Sequence, residues 1–186
     1  MTSWKRAYSV LESQLSDRGV DVKAVEAALA AQSIETPSWG YADSGTRFKV
    51  FAPPGAARTT REKLADAAQV HRFTGVAPSV ALHIPWDKVD DYAELEAYAS
   101  SLGIRLGAIN PNLFQEPEYK LGSLCHPQPS VRRQAIDHCL ECVDIAKVVS
   151  SGNISLWLAD GTNYPGQDNI RQRRHRLLEA LREIYD

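Results

Sequence analysis

Val80-Ala81-Leu82-His83-Ile84-Pro85-Trp86-Asp87-Lys88 decides how this chain is read. Val80 to Ile84 is a short apolar run interrupted by one histidine and stopped by Pro85. A run of that length, bounded by turn chemistry, reads as a strand buried on both faces, which is the habit of parallel sheets covered by helices. Proline has no backbone donor for a ladder, so the strand ends there. The residues that follow, Trp86 and Asp87, then lie beyond its carboxyl end.

Outward from this stretch the same unit recurs. Residues 90–102, "DDYAELEAYASSL", start acidic and are followed by Gly103 at the C′ position, the pattern of a helix. Ile104 to Ile109 is the next strand, stopped by Asn110-Pro111. Ser130 opens the long helix "VRRQAIDHCLECVDIAKVV", with Gly152 closing it. Ile154 to Leu158 then reads as a fourth strand, ending in Asp160-Gly161, and residues 169–185 as a basic amphipathic helix. Upstream, residues 60–73, "TREKLADAAQVHRF", form a helix with Thr59 or Thr60 as N-cap. A short apolar entry from Ile34 to Trp39 precedes it, ending at Gly40 and a loop rich in Gly, Ser and Asp. Residues 3–16 and 20–32 read as helices, the second with Val22, Ala24, Val25, Ala28 and Leu29 as its apolar positions.

The order βαβαβαβα predicts a parallel sheet wrapped by helices. No G-x-G-x-x-G and no G-x-x-x-x-G-K-[ST] stands at a strand-to-helix turn, which weakens a nucleotide-binding sheet. The expected fold class is α/β: the first four βα units of a (β/α)8 TIM barrel, with outer helices and preceded by N-terminal helices. The expected division is a helical segment over 1–33 and the N-terminal half of a barrel over 34–186, the C-terminal half being absent.

The bulk properties narrow the function. The 186 residues are 44% hydrophobic with a formal net charge of −2, enough for one domain with a core. That balance offers no electrostatic attraction to nucleic acid or to an anionic membrane. No apolar run approaches the roughly 20 residues that span a bilayer. The opening "MTSWKRAYSVLESQLSDRG" lacks a secretory apolar core, and the three cysteines are an odd number. A reducing cytoplasm is the expected setting.

Ligands of barrels sit at the carboxyl ends of the strands. There the sequence places Trp39 in "PSWG", His83 and Trp86 in "HIPWD", Asn110 and Phe114 in "NPNLF", and Trp157 and Asp160 in "LWLADG". Aromatic faces beside a few polar groups suit a sugar, whose C–H face packs on rings while its hydroxyls seek partners. Any one of these tryptophans, taken alone, is better explained by plugging the top of a barrel. Their recurrence on four successive strand ends points to a site. For His83 alone a satisfied core imidazole is the commoner case, but its place at the strand's last turn suits a proton shuttle at neutral pH.

Two other groups have simpler readings. Cys125, His126, His138, Cys139 and Cys142 suggest zinc. Ala135, Cys139, Cys142, Val143 and Ala146, however, share one helix face, where cysteine acts as a small hydrophobe. No second C-x-x-C or H-x3-H accompanies them, which leaves His126 alone with a possible site role. The run from Arg171 to Arg176 opens a helix whose apolar face is Leu177, Leu178, Leu181 and Ile184, offset by Glu179, Glu183 and Asp186. It reads as a solvated face. Asp160 stands alone, so no metal ligands are assigned.

Taken together, "PSWG" followed by "GTRF", "ALHIPWDK", "NPNLF…YKLGSLCH" and "LWLADGTNYPGQ" resemble the L-rhamnose isomerase family. The nearer branch is the bacterial broad-specificity type, within the xylose-isomerase-like barrels. The resemblance runs from about residue 20 to the end, and "HIPWDK" and "DGTNYPGQ" are its specific blocks. It implies metal-dependent aldose–ketose isomerisation, L-rhamnose to L-rhamnulose and related aldoses. The implied cofactor is a pair of divalent cations, typically manganese (Mn2+), and the implied assembly is a cytoplasmic homotetramer. By the same resemblance His83 serves ring opening near O1 and O5, while Trp39, Trp86, Phe114 and Trp157 wall the sugar pocket. Phe48, in "GTRF", approaches a neighbouring subunit's site. The family's Glu, Asp and His metal ligands and its substrate lysine lie in the second half of the barrel, so this chain alone is expected to be inactive. The alternative is a non-catalytic sugar-binding or oligomerising half-barrel, associating through sheet edges at strands one and four.

Overall fold

The computed structural model describes residues 2–42, 54–158 and 168–186. The chain divides into two compact units, Met1–Ile34 and Glu35–Asp186.

The first unit is a pair of helices, α1 (Ser3–Ser16) and α2 (Val22–Ala30). Asp21 starts α2 by accepting a hydrogen bond from the Ala24 amide at 3.0 Å, the ordinary N-cap arrangement. Polar side chains join the helices: the Tyr8 hydroxyl donates to Glu26, and Lys23 reaches Glu26 at 3.2 Å and Glu12 at 3.6 Å. Neither helix buries a residue within the described structure.

The second unit runs β1 (Glu35–Pro37), α3 (Thr60–Thr74), β2 (Ser79–Ile84), α4 (Tyr92–Ser101), β3 (Arg105–Pro111), α5 (Pro129–Val148) and α6 (Ile170–Tyr185). The three strands pair in parallel in the order β1-β2-β3, with Glu35 beside Ser79, Val80 beside Leu106 and His83 beside Asn110. Every residue of β2 is buried, as its unbroken apolar run predicts. Leu64 and Ala67 of α3, Leu95 and Ala99 of α4, and Ile145 and Ala146 of α5 cluster with Val80, Leu82, Ile84, Leu106 and Ile109. Each large apolar side chain buried this way contributes about 1.5–3 kcal/mol of transfer free energy. A second cluster joins Leu113, Tyr119 and Leu124 to Val131, Ala135 and Cys139 of α5 and to Ala180 of α6.

Local chemistry sets the helix ends. Of the two candidate caps on α3, Thr59 is used: its hydroxyl accepts from the Glu62 amide at 3.2 Å, and the Glu62 carboxylate accepts from the Thr59 amide at 3.0 Å. After α4, Gly103 takes φ +78°, the left-handed conformation that glycine adopts without strain. The long helix α5 stops at Val148, short of Gly152. Ser150 turns the chain at φ 53°, and the Ser151 amide donates back to the Ala146 carbonyl at 2.8 Å.

The fourth strand expected over Ile154 to Leu158 does not extend. It is reduced to one parallel bridge between Ile109 and Ile154. Ile109 donates to the Asn153 carbonyl at 3.0 Å, and Ser155 donates to the Ile109 carbonyl at 2.9 Å. The next donor in that parallel register would be the amide of residue 111, which is a proline, so the ladder ends where it begins. Three strands and this bridged segment form the described sheet, consistent with part of a barrel. Among the described residues no helix is long and apolar enough to cross a membrane.

Candidate functional site

The site grows from the end of β2. The Asp87 amide donates to the His83 carbonyl at 2.8 Å, and the Asp87 carboxylate accepts from the His83 amide, also at 2.8 Å. The turn is thus closed by backbone and side chain together. It folds Trp86 back so that its indole stacks on the His83 imidazole, centroids 3.7 Å apart and planes 15° from parallel.

The neighbouring strands bring the other rings. After β1 a single 3-10 turn, Ser38–Gly40, presents the Trp39 indole edge-on to His83 at 5.4 Å and to Trp86 at 6.4 Å. After β3 the Asn112 side chain accepts from the amides of Phe114 at 3.2 Å and Gln115 at 3.0 Å, a local turn that competes successfully with continued strand. It aims Phe114 edge-on at His83, 5.8 Å away, and at Trp86, 6.1 Å away. The Gln115 side-chain carbonyl accepts from Trp86 Nε1 at 2.9 Å and from Asn112 Nδ2 at 2.8 Å, which locks the indole. Trp157, half exposed, meets Phe114 edge-on at 4.7 Å. Edge-to-face contacts at such separations are the favourable arrangement for rings.

Five side chains picked out in the sequence, Trp39, His83, Trp86, Phe114 and Trp157, therefore form one continuous chain of rings. Phe48 and Asp160 lie outside the described residues. Asn110 takes a structural place: its Nδ2 donates to the Leu82 carbonyl at 2.9 Å and binds β3 to β2. His126 is buried, and its Nδ1 accepts from the Gln128 amide at 3.0 Å. Cys139 and Cys142 are fully buried, and burial pushes both thiols far above their ordinary range.

His83 is 6% exposed, and its Nδ1 is buried with no hydrogen-bond partner among the described residues. Burial pushes its pKa down to about 4; the Asp87 carboxylate opposes that shift, and His138 and Lys63 add to it. The imidazole is therefore neutral at physiological pH and holds an unused polar atom inside an aromatic wall.

Sequence reasoning missed the polar support behind these rings. Asp87 is fully buried; its Oδ1 accepts from Lys63 Nζ at 2.7 Å, and its Oδ2 also receives the Ser38 hydroxyl. Lys63 carried a readable signal: with Thr60, Leu64 and Ala67 it falls on the buried stripe of α3, where a lysine is out of place without a carboxylate. His138 was set aside with the cysteines, yet its Nε2 lies 3.1 Å from the Ile84 carbonyl and receives the Asn112 amide at 3.2 Å. It braces the β2 turn from the helix side.

Among the described residues no group of three or more His, Cys, Asp or Glu side chains is arranged to hold a metal ion. Asp87, the carboxylate nearest the rings along the chain, already receives three donors. The described residues thus do not fit the divalent pair that the family resemblance implies, and no chemical step is assigned to it.

No family model matches the chain. It is 43% identical over 185 residues to a Rhizobium meliloti protein named "Probable sugar isomerase", covering 97% of this chain and 43% of that protein. It is 24% identical over 213 residues to the L-rhamnose isomerase of Shigella sonnei, covering 98% of this chain and 50% of that protein. The chain thus spans about half or less of the length of these curated relatives. Among solved structures it resembles L-ribulose 3-epimerase, with a TM-score of 0.57 and 15% identity over 82% of this chain and 44% of that one. That likeness shows the fold: an α/β arrangement of the TIM-barrel kind.

Proposed function

We propose that this chain is the sugar-recognition part of a metal-dependent aldose–ketose isomerase that converts L-rhamnose and related aldoses to their 2-ketoses. The observation that carries the reading is the unbroken series of rings from Trp39 to Trp157, with His83 inside it, at the carboxyl ends of parallel strands. The names and coverage of the relatives agree with a sugar isomerase of greater length.

In this reading the rings pack against the C–H face of the sugar and exclude water from it. His83 handles the proton traffic of ring opening, at the O1 hydroxyl and the ring oxygen O5. A neutral imidazole offers one N–H donor and one acceptor at once, so it relays a proton without prior charging. The Mn2+ pair, whose ligands the family resemblance puts in the second half of the barrel and not in this chain, the homotetramer, the cytoplasmic setting and the cross-subunit role of Phe48 belong to the same proposal.

Binding and turnover test it separately. Titrating the 186-residue chain with L-rhamnose should change tryptophan emission saturably, and Trp86→Ala should remove the response. Emission that stays flat to high sugar concentration sinks the reading. In a protein of the relatives' length, His83→Ala should slow turnover of the cyclic sugar by about 10²-fold or more while the far-UV spectrum is kept. A His83→Ala protein that unfolds instead would return the residue to a core role, and saturable binding without isomerisation would favour a sugar-binding module.

A further inference from the structure

We propose that Asp87, neutralised by Lys63, is the positioning residue of the ring cluster: one buried carboxylate holds the backbones that carry Trp39 and His83, and so sets the shape of the pocket. This rests on reading the rings as a saccharide pocket.

Three elements meet at Asp87. The 3-10 turn after β1 sends the Ser38 hydroxyl to Oδ2, one residue before Trp39. The end of β2 sends the His83 amide to the same oxygen at 2.8 Å. Helix α3 sends Lys63 Nζ to Oδ1 at 2.7 Å, where both side chains are almost wholly excluded from solvent. The Ser38 side chain, next to Trp39, and the His83 backbone are thereby held to one atom, and the Trp39 and His83 rings meet at 84° across 5.4 Å.

Stability is a poor reason to keep such a pair. Desolvating two charges costs several kcal/mol each, and well-packed apolar replacements of a buried ion pair are often neutral or stabilising. An apolar side chain at position 87 would fill the space but could not accept the Ser38 and His83 hydrogen bonds. Lys63 allows the acceptor to be a carboxylate by cancelling its charge in a dry environment. The pair therefore buys geometry.

The test compares two double variants that both remove the charges. Lys63→Met/Asp87→Leu deletes the acceptor, whereas Lys63→Met/Asp87→Asn keeps an oxygen for Ser38 and His83. The near-UV circular dichroism of the tryptophans reads ring geometry without any ligand, and L-rhamnose titration reads the pocket. The leucine variant should keep its far-UV spectrum, lose most of the near-UV signal and bind L-rhamnose about tenfold more weakly or worse, because small misplacements of a site are costly. The asparagine variant should retain both readouts to within about threefold. A leucine variant with wild-type near-UV signal and affinity, or equal impairment of both variants, overturns the proposal. If either double variant fails to fold, Ser38→Ala decides, since it removes one donor and no charge: a diminished near-UV signal supports the proposal and an unchanged one overturns it. A wild-type protein that does not respond to L-rhamnose refutes the pocket reading instead, and the near-UV comparison still judges the positioning role.

Discussion

The His83 imidazole lies flat on the Trp86 indole, 3.7 Å between centroids, although the two residues are only three positions apart. The turn closed by Asp87 makes this possible, and the stacked indole screens one face of the imidazole from water.

Removing the screen should restore the imidazole's basicity. In Trp86→Ala the His83 ring gains solvent, and its titration midpoint should climb from about 4 toward the ordinary 6.5. The C–H proton shifts of the imidazole, followed by NMR against pH, report this directly. A midpoint that stays near 4 would place the source of desolvation elsewhere.

The same burial makes stability depend on pH. The folded state holds the His83 pKa down at about 4 while the unfolded state keeps it near 6.5, so between those values the unfolded chain binds a proton that the folded chain refuses. Stability from this group is fully present above pH 6.5 and is lost as pH falls toward 4, by up to about 3 kcal/mol. Urea unfolding at pH 7 and pH 5 should show a smaller loss for His83→Phe than for the wild type. Parallel losses would contradict the assignment.

Gly107 leaves room for a carboxylate. A Cβ built there would stand 1.5 Å from Glu35 Oε2, the atom that accepts the Ala108 amide at 3.1 Å. Gly107→Ala must therefore displace the exposed, flexible Glu35 carboxylate, and the cost is its hydrogen bond to the Ala108 amide, about 0.5–1.5 kcal/mol. Thermal unfolding should show that loss, and Glu35→Ala/Gly107→Ala should lose no more than Glu35→Ala alone. Additive losses in the double variant would show that the two positions are independent.

The cysteines should be chemically silent. Cys125, Cys139 and Cys142 are buried, and burial lifts Cys139 to about 12 and Cys142 further. Because the thiolate is the reactive form, a thiol reagent at pH 8 should label none of the three in the folded protein and all three after denaturation. Rapid labelling of Cys139 or Cys142 in the native chain would show that the α5 face opens readily.

Much of the fold is legible in the sequence. The apolar run at Val80–Ile84 became the buried central strand, and Gly103 ended its helix at positive φ. The buried face of Cys139 and Cys142 packed as core, as their spacing requires. The fourth strand failed because periodicity reports which segments favour extended backbone, and not which donors they will meet. Pro111 stops its own strand, and its missing N–H also denies a ladder to the neighbour.

The ring residues were legible for the same reason as the strands: a residue just past an apolar run must emerge at the strand's end. What local pattern could not supply was the support behind them. Lys63 sits 24 positions before Asp87 and Ser38 sits 49 before it, so no periodicity links the three. The clue at Lys63 was a charge on an apolar stripe, which marks an unmet partner without identifying it.

By itself, then, the sequence determined the order of strands and helices, the apolar faces they bury, and the gathering of Trp39, His83, Trp86, Phe114 and Trp157 at one end of the sheet. These follow from short-range spacing and from the backbone limits of proline and glycine. Only the tertiary structure decided that His83 is stacked, dry and neutral, that one carboxylate serves both Ser38 and His83, and that the last strand stops at a single bridge. Those outcomes depend on which distant groups share a space from which water is excluded, and hydrogen-bond and charge energies are set there.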